Sequence, residues 1–142
     1  RLWRSTYDAL ESLSVKEIDI SARFFGYLFV KSVLHWNALT VIKITAEDTN
    51  ASNRNFIQSL FRFLGMEMGV GNLQAKLQHS GVTSHGGLFP RDSLEKARFA
   101  INFFEAISMQ SVELSVLALP LRQWYDAEVV AMRKRRRPEE AL

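Results

Sequence analysis

Between Leu88 and Ile107 the chain leaves little room for anything but a helix packed on several sides. At helical spacing, Glu95, Arg98, Asn102 and Glu105 recur at intervals of three, four and three residues and form one narrow polar stripe. Ala97, Phe99, Ala100, Ile101, Phe103, Phe104, Ala106 and Ile107 occupy nearly all of the remaining circumference. A helix that apolar must be covered by neighbours on several sides. Pro90 punctuates the preceding loop, Asp92 or Ser93 supplies a cap, and Glu95 sits where it answers the first backbone N–H groups. The stretch predicts a central helix with the other helices wrapped around it.

The rest of the chain reads as helices too. Leu2, Trp3, Tyr7, Leu10 and Leu13 predict a first amphipathic helix. Ser14-Val15-Lys16-Glu17 has the form of a capping box and opens a second, through Ile18, Ala22, Phe24, Phe25, Tyr27, Leu28 and Phe29. That apolar run is bounded by Arg23 and Lys31, well short of the roughly 20 residues a bilayer requires, so it predicts a buried helix. A short third helix begins at Leu34-His35-Trp36 and ends near Lys43 or Ile44. Thr45 to Asn50 is a polar break. The fourth helix, Ala51 to Met68, has Phe56, Ile57, Leu60, Phe61 and Leu64 on one face, and Gly69 and Gly71 suit its end. A short fifth helix covers Asn72 to Gln78, followed by a glycine-rich loop from His79 to Gly87. After the central helix a seventh is predicted over Ser111 to Leu119. Pro120 is expected to end or kink it, because an interior proline costs about 3 kcal/mol. Leu121, Trp124, Tyr125, Val129 and Met132 mark an eighth. The predicted fold is all-α, about eight helices in antiparallel pairs stacked as a short α-solenoid.

Charge divides the chain in two. Of 18 basic and 15 acidic residues, Arg133, Lys134, Arg135, Arg136 and Arg137 take five of the former, and Glu139 and Glu140 two of the latter. Residues 1–132 therefore hold 13 of each sign and form a neutral body; residues 133–142 form a basic, then acidic, tail. A neutral body argues against a broad nucleic-acid groove across the domain. The tail has two readings: a contact to RNA phosphates or a nuclear-import signal, or the solvated end of the last helix, where cations favour the dipole. The chain contains no cysteine, which excludes disulfides and Cys-based metal sites and favours a reducing compartment. It starts at Arg1, as a piece of something longer would.

Signs of catalysis are sparse. His35, His79 and His85 lack metal-ligand spacing, and two histidines in a glycine-rich loop are most often solvent-exposed. A hydrolase using His79 or His85 is the enzyme alternative. Glu47-Asp48 reads as acid–base chemistry or, just before a helix, as charge complementing its N-terminus. No phosphate loop and no Gly-x-Ser-x-Gly elbow occurs. The expectation is a non-enzyme without cofactor or metal. Arg98 and Asn102, polar interruptions in a densely apolar helix, are expected to hydrogen-bond inside the domain or to face a partner. Arg54, Gln58 and Arg62, with Arg91 and Arg98, form a candidate partner surface, where charge reversal at Arg54 and Arg62 is expected to weaken association without unfolding.

Three blocks carry a family likeness: Leu34-His35-Trp36-Asn37-Ala38-Leu39 with Ile42-Lys43-Ile44-Thr45-Ala46-Glu47-Asp48-Thr49; Ser52-Asn53-Arg54-Asn55-Phe56-Ile57 with Leu60-Phe61; and Gly87-Leu88-Phe89-Pro90-Arg91-Asp92 with Arg98-Phe99-Ala100-Ile101-Asn102-Phe103-Phe104. With Ala22-Arg23-Phe24-Phe25 and Leu28, they resemble the MA-three domain of the pre-mRNA-splicing factor Cwc-twenty-two family over about residues 15 to 110. His35 stands where the family has proline, and Glu105 to Gln110 depart from its pattern, as in a divergent member. The resemblance implies an MA-three, HEAT-like helical domain without catalytic residues, in a nuclear spliceosome component. It implies packing on core proteins of the U5 snRNP, near pre-mRNA or snRNA. It also implies a DEAD-box helicase of the four-A type, bound through an upstream domain that is not in this chain. Two other readings belong to the same group: a nucleolar protein of small-subunit ribosome assembly, and a translation-type domain that binds such a helicase directly.

Overall fold

The computed structural model describes residues 2–83, 87–108 and 113–136. Among them lie six α-helices: α1 (Leu2–Asp8), α2 (Val15–Val30), α3 (Ala51–Met68), α4 (Val70–His79), α5 (Leu94–Ile107) and α6 (Leu119–Arg136). Three 3-10 turns, Leu10–Ser12, Trp36–Val41 and Leu114–Ala118, connect them. The fold is all-α, built of stacked helices. Its sole extended pairing among the described residues is an isolated bridge between Lys43 and Gly87.

Local chemistry sets the helix starts. The Glu17 amide donates to Ser14 Oγ at 3.2 Å and the Ser14 amide donates to Glu17 Oε1 at 2.9 Å, completing the capping box of α2. Those hydrogen bonds hold the Glu17 carboxyl below its ordinary range. Asn50 and Asn53 make the same reciprocal pair at the start of α3. Ser93, of the two candidate residues, caps α5, accepting from the Lys96 amide at 3.1 Å. Gly69 ends α3 and begins α4 with φ +79°, in the left-handed region that favours glycine.

Packing converges on α3 rather than on α5. Helix α2 lies along α3 and buries Ile18, Ala22, Phe25 and Phe29, one face at spacings of four, three and four. Above Phe56 of α3, the indole of Trp3 sits 5.3 Å from the rings of both Phe25 and Phe29 and 5.6 Å from Phe56 itself. Its N–H donates to the Ala38 carbonyl at 3.0 Å, so α1 and the Trp36–Val41 turn close one end of the core. Five residues further along α3, Phe61 meets Phe104 of α5 edge-on at 5.4 Å, and Phe89 stacks on Phe104 at 5.2 Å. Helix α3 thus joins an aromatic cluster at its start to a second one around α5.

Several expectations change in detail. The predicted buried helix α2 is buried on one face only: Phe24 and Tyr27 are half exposed. The first predicted helix is split by a turn after Asp8, and the third is a 3-10 turn. Within the predicted seventh helix, the described part is the turn Leu114–Ala118, with 111 and 112 outside the described residues. Pro120 stands where that turn ends, as expected, and is also the second residue of α6, where the missing N–H has no intrahelical partner to lose.

Candidate partner groove between α5 and α6

Helix α6 docks against α5 and the turn before it, with Leu121 buried at the joint and Trp124 and Tyr125 packed against the core. The two helices leave an open groove of about 480 Å³ between them. Arg98, Ile101 and Asn102 line it from α5. Arg122, Tyr125, Asp126, Val129, Val130 and Arg133 line it from α6. Spacings of four, three and four place Arg122, Asp126, Val129 and Arg133 on one face of α6.

The charges in the groove divide sharply. Arg122 Nη1 lies 3.1 Å from Glu105 Oε1, and its Nε lies 3.9 Å from Asp126 Oδ2. Arg98, Asn102 and Arg133 are exposed and form no hydrogen bond or ion pair with a described residue. The excess positive charge is therefore carried by two unpaired guanidinium groups on opposite walls, above a floor that includes buried Ile101 and the half-buried Val129. Such a groove can hold carboxylates by paired N–H···O bonds and apolar side chains beneath them.

The five residues of the candidate surface do not stand together. Arg54 Nε donates to Thr49 Oγ1 at 2.9 Å, and its guanidinium covers the Phe99 ring at 5.5 Å. Arg62 Nε donates to the Ile107 carbonyl at 3.1 Å. With its oxygen turned toward Arg62, the Gln58 amide accepts from that guanidinium at 2.6 and 3.2 Å. All three are partly buried on α3, and Arg54 and Arg62 reach across to α5, so reversing their charge is expected to disturb contacts within the fold as well as any partner contact. Arg91 lies over the Trp124 ring at 5.8 Å. Only Arg98 opens on the groove, where it meets Arg133 of the basic run; Lys134, Arg135 and Arg136 follow on the exposed last turn of α6, and Arg137 lies outside the described residues. For Arg98 and Asn102 an internal hydrogen bond was one of two expectations; they face the groove instead. Residue sorting missed Arg122, Tyr125, Asp126 and Val130. Their helical phase was readable, but the angle at which α6 meets α5 was not.

The histidines and the acidic pair are dispersed. His35 Nδ1 accepts from the Asn37 amide at 3.4 Å, His79 is exposed at the end of α4, and His85 lies outside the described residues. Asp48 accepts from Thr45 Oγ1 at 2.7 Å within the loop that leads into α3. Among the described residues no three His, Cys, Asp or Glu side chains are grouped to hold a metal ion, and no helix is long and apolar enough to cross a membrane.

Fold and groove together define a stacked-helix domain with an open, basic, partly apolar face. The particular likeness is to a splicing factor. The chain is 36% identical over 109 residues to the pre-mRNA-splicing factor CWC22 homolog of Drosophila melanogaster, covering 76% of this chain and 8% of that protein. It is 35% identical over 104 residues to the pre-mRNA-splicing factor CWC22 of Yarrowia lipolytica, covering 72% of this chain and 11% of the relative. The CWC22 homolog of Caenorhabditis elegans is 33% identical over 129 residues, 87% of this chain and 13% of its own length. No family model matches the chain. Over about three quarters of its length or more, the chain is thus similar to these splicing factors, as a divergent CWC22-like domain. The chain spans about a tenth of the length of these relatives.

Proposed function

We propose that this chain is a non-catalytic interaction domain of a nuclear spliceosome component and supports pre-mRNA splicing through contacts with core proteins of the U5 snRNP. The observation that carries the reading is its likeness to proteins named pre-mRNA-splicing factor over about three quarters of its length. The stacked helices support it physically, since such folds present long faces to partners. In this role the domain lies near pre-mRNA or snRNA, and a DEAD-box helicase of the four-A type binds an upstream domain of the same protein. Affinity purification of the tagged full-length protein from nuclear extract, with mass spectrometry and RNA sequencing, tests this. Recovery of U5 snRNP proteins with spliceosomal small RNAs is expected. Recovery of small-subunit ribosome precursors in their place would overturn it.

A further inference from the structure

We propose that the groove between α5 and α6 is a docking site for a short segment of a protein partner that carries Asp or Glu beside apolar side chains. The inference rests on the splicing reading only for where the partner is sought, namely among proteins of the same assembly. Its basis is charge complementarity. Arg98 and Arg133 stand unpaired among the described residues on opposite walls, while Arg122 is already neutralised by Glu105 and Asp126. Two free guanidinium groups can each take a carboxylate through paired hydrogen bonds. Between them, Asn102 offers an exposed amide that both donates and accepts, as an extended or helical backbone end requires. Beneath lie Ile101 and Val129, with Val130 half exposed on the α6 side, a floor that excludes water once apolar side chains cover it.

A nucleic-acid strand fits this groove less well. It carries charge at every nucleotide, whereas Arg122 on α6 is held between two carboxylates, Glu105 of α5 and Asp126 of α6. It also gains most of its non-ionic affinity by stacking bases on open aromatic faces. The nearby Trp124 face is covered by Arg91, and Tyr125 is half-buried. A peptide can place its carboxylates only where guanidinium groups wait.

The test is a photo-crosslinker in the groove of the full-length protein. Asn102→p-benzoylphenylalanine is irradiated in nuclear extract, and crosslinked peptides and RNA are sequenced. The expected product is a protein segment containing Asp or Glu next to apolar residues. Its yield should fall about tenfold when Arg98→Glu and Arg133→Glu are combined, the scale expected for reversing two interfacial charges. Both arginines are exposed and unpaired, so the thermal melt should be unchanged; Arg98→Gln with Arg133→Gln repeats the test without reversing charge. A crosslink to RNA, to segments lacking acids, or of unaltered yield in both double variants overturns the inference, as does the absence of any crosslink. Co-purifying U5 proteins and small RNAs are scored in the same samples. Spliceosomal recovery without a charge-sensitive crosslink sinks the groove alone. A charge-sensitive acidic crosslink without spliceosomal recovery sinks the splicing reading and leaves the groove.

Discussion

Gly87 carries a tight contact that the sequence displays only as one letter in a motif. Its carbonyl accepts from the Ile44 amide at 2.9 Å, drawing the loop before α5 against the segment that leads into α3. A Cβ at this position would lie 2.6 Å from Lys43 Cα and 2.8 Å from the Ile42 carbonyl oxygen, both backbone atoms. Gly87→Ala is therefore expected to destabilise by about 1–3 kcal/mol, read as a lower denaturant midpoint. At Gly26 a Cβ would lie 2.5 Å from Cδ1 of the Phe63 ring, so Gly26→Ala is also expected to destabilise. Tyr7 makes a pH prediction. Burial first, then the negative charges of Asp48 and Asp8, push its phenol from 10.0 up to about 12. The unfolded chain then releases this proton before the folded one does, so the Tyr7 contribution is complete below pH 10 and is lost as pH rises from about 10 to about 12. Urea midpoints followed through that window should fall less steeply in Tyr7→Phe than in the wild type.

Elements were legible where their ends carry local chemistry. Ser14 with Glu17, the polar residues before Ala51 and the Asp92-Ser93 pair all precede observed helices, because a cap is satisfied within one turn and requires no tertiary partner. Short elements were less legible. Trp36–Val41 and Leu114–Ala118 span so few residues that a period of 3.6 and one of 3.0 place apolar side chains alike. Pro120 shows the same ambiguity from the other side, since proline marks a boundary without saying on which side of it the helix lies. Its place in the first turn of α6 predicts that Pro120→Ala changes stability by less than about 1 kcal/mol, against about 3 kcal/mol for an interior proline. A thermal melt of the variant distinguishes the two.

At the scale of the whole molecule, side chains reaching from α3 to α5 tie the helix that carries Phe56 of the Trp3 cluster to the cluster around Phe104. Arg62 reaches the carbonyl of Ile107, and Gln58 steadies the guanidinium from the preceding turn. Arg62→Met leaves both acceptors without that donor and is expected to cost about 1–3 kcal/mol in chemical denaturation. Arg62→Glu should cost more, since it sets a carboxylate against a carbonyl oxygen; a stability equal to the wild type would show that the tie between α3 and α5 does not depend on this residue. The sequence by itself determined the helical class, most helix starts and the apolar faces, because periodicity and capping act over a few residues. It also carried the CWC22 likeness in the blocks around Trp36, Phe56 and Phe99. Only the tertiary structure decided that α3 is the hub, that Arg54 and Arg62 reach from α3 to α5, and that Arg98 and Arg133 line one groove. Those outcomes depend on how helices distant in sequence approach one another, and that geometry is set by side-chain packing across their contact rather than by any one helix's own pattern.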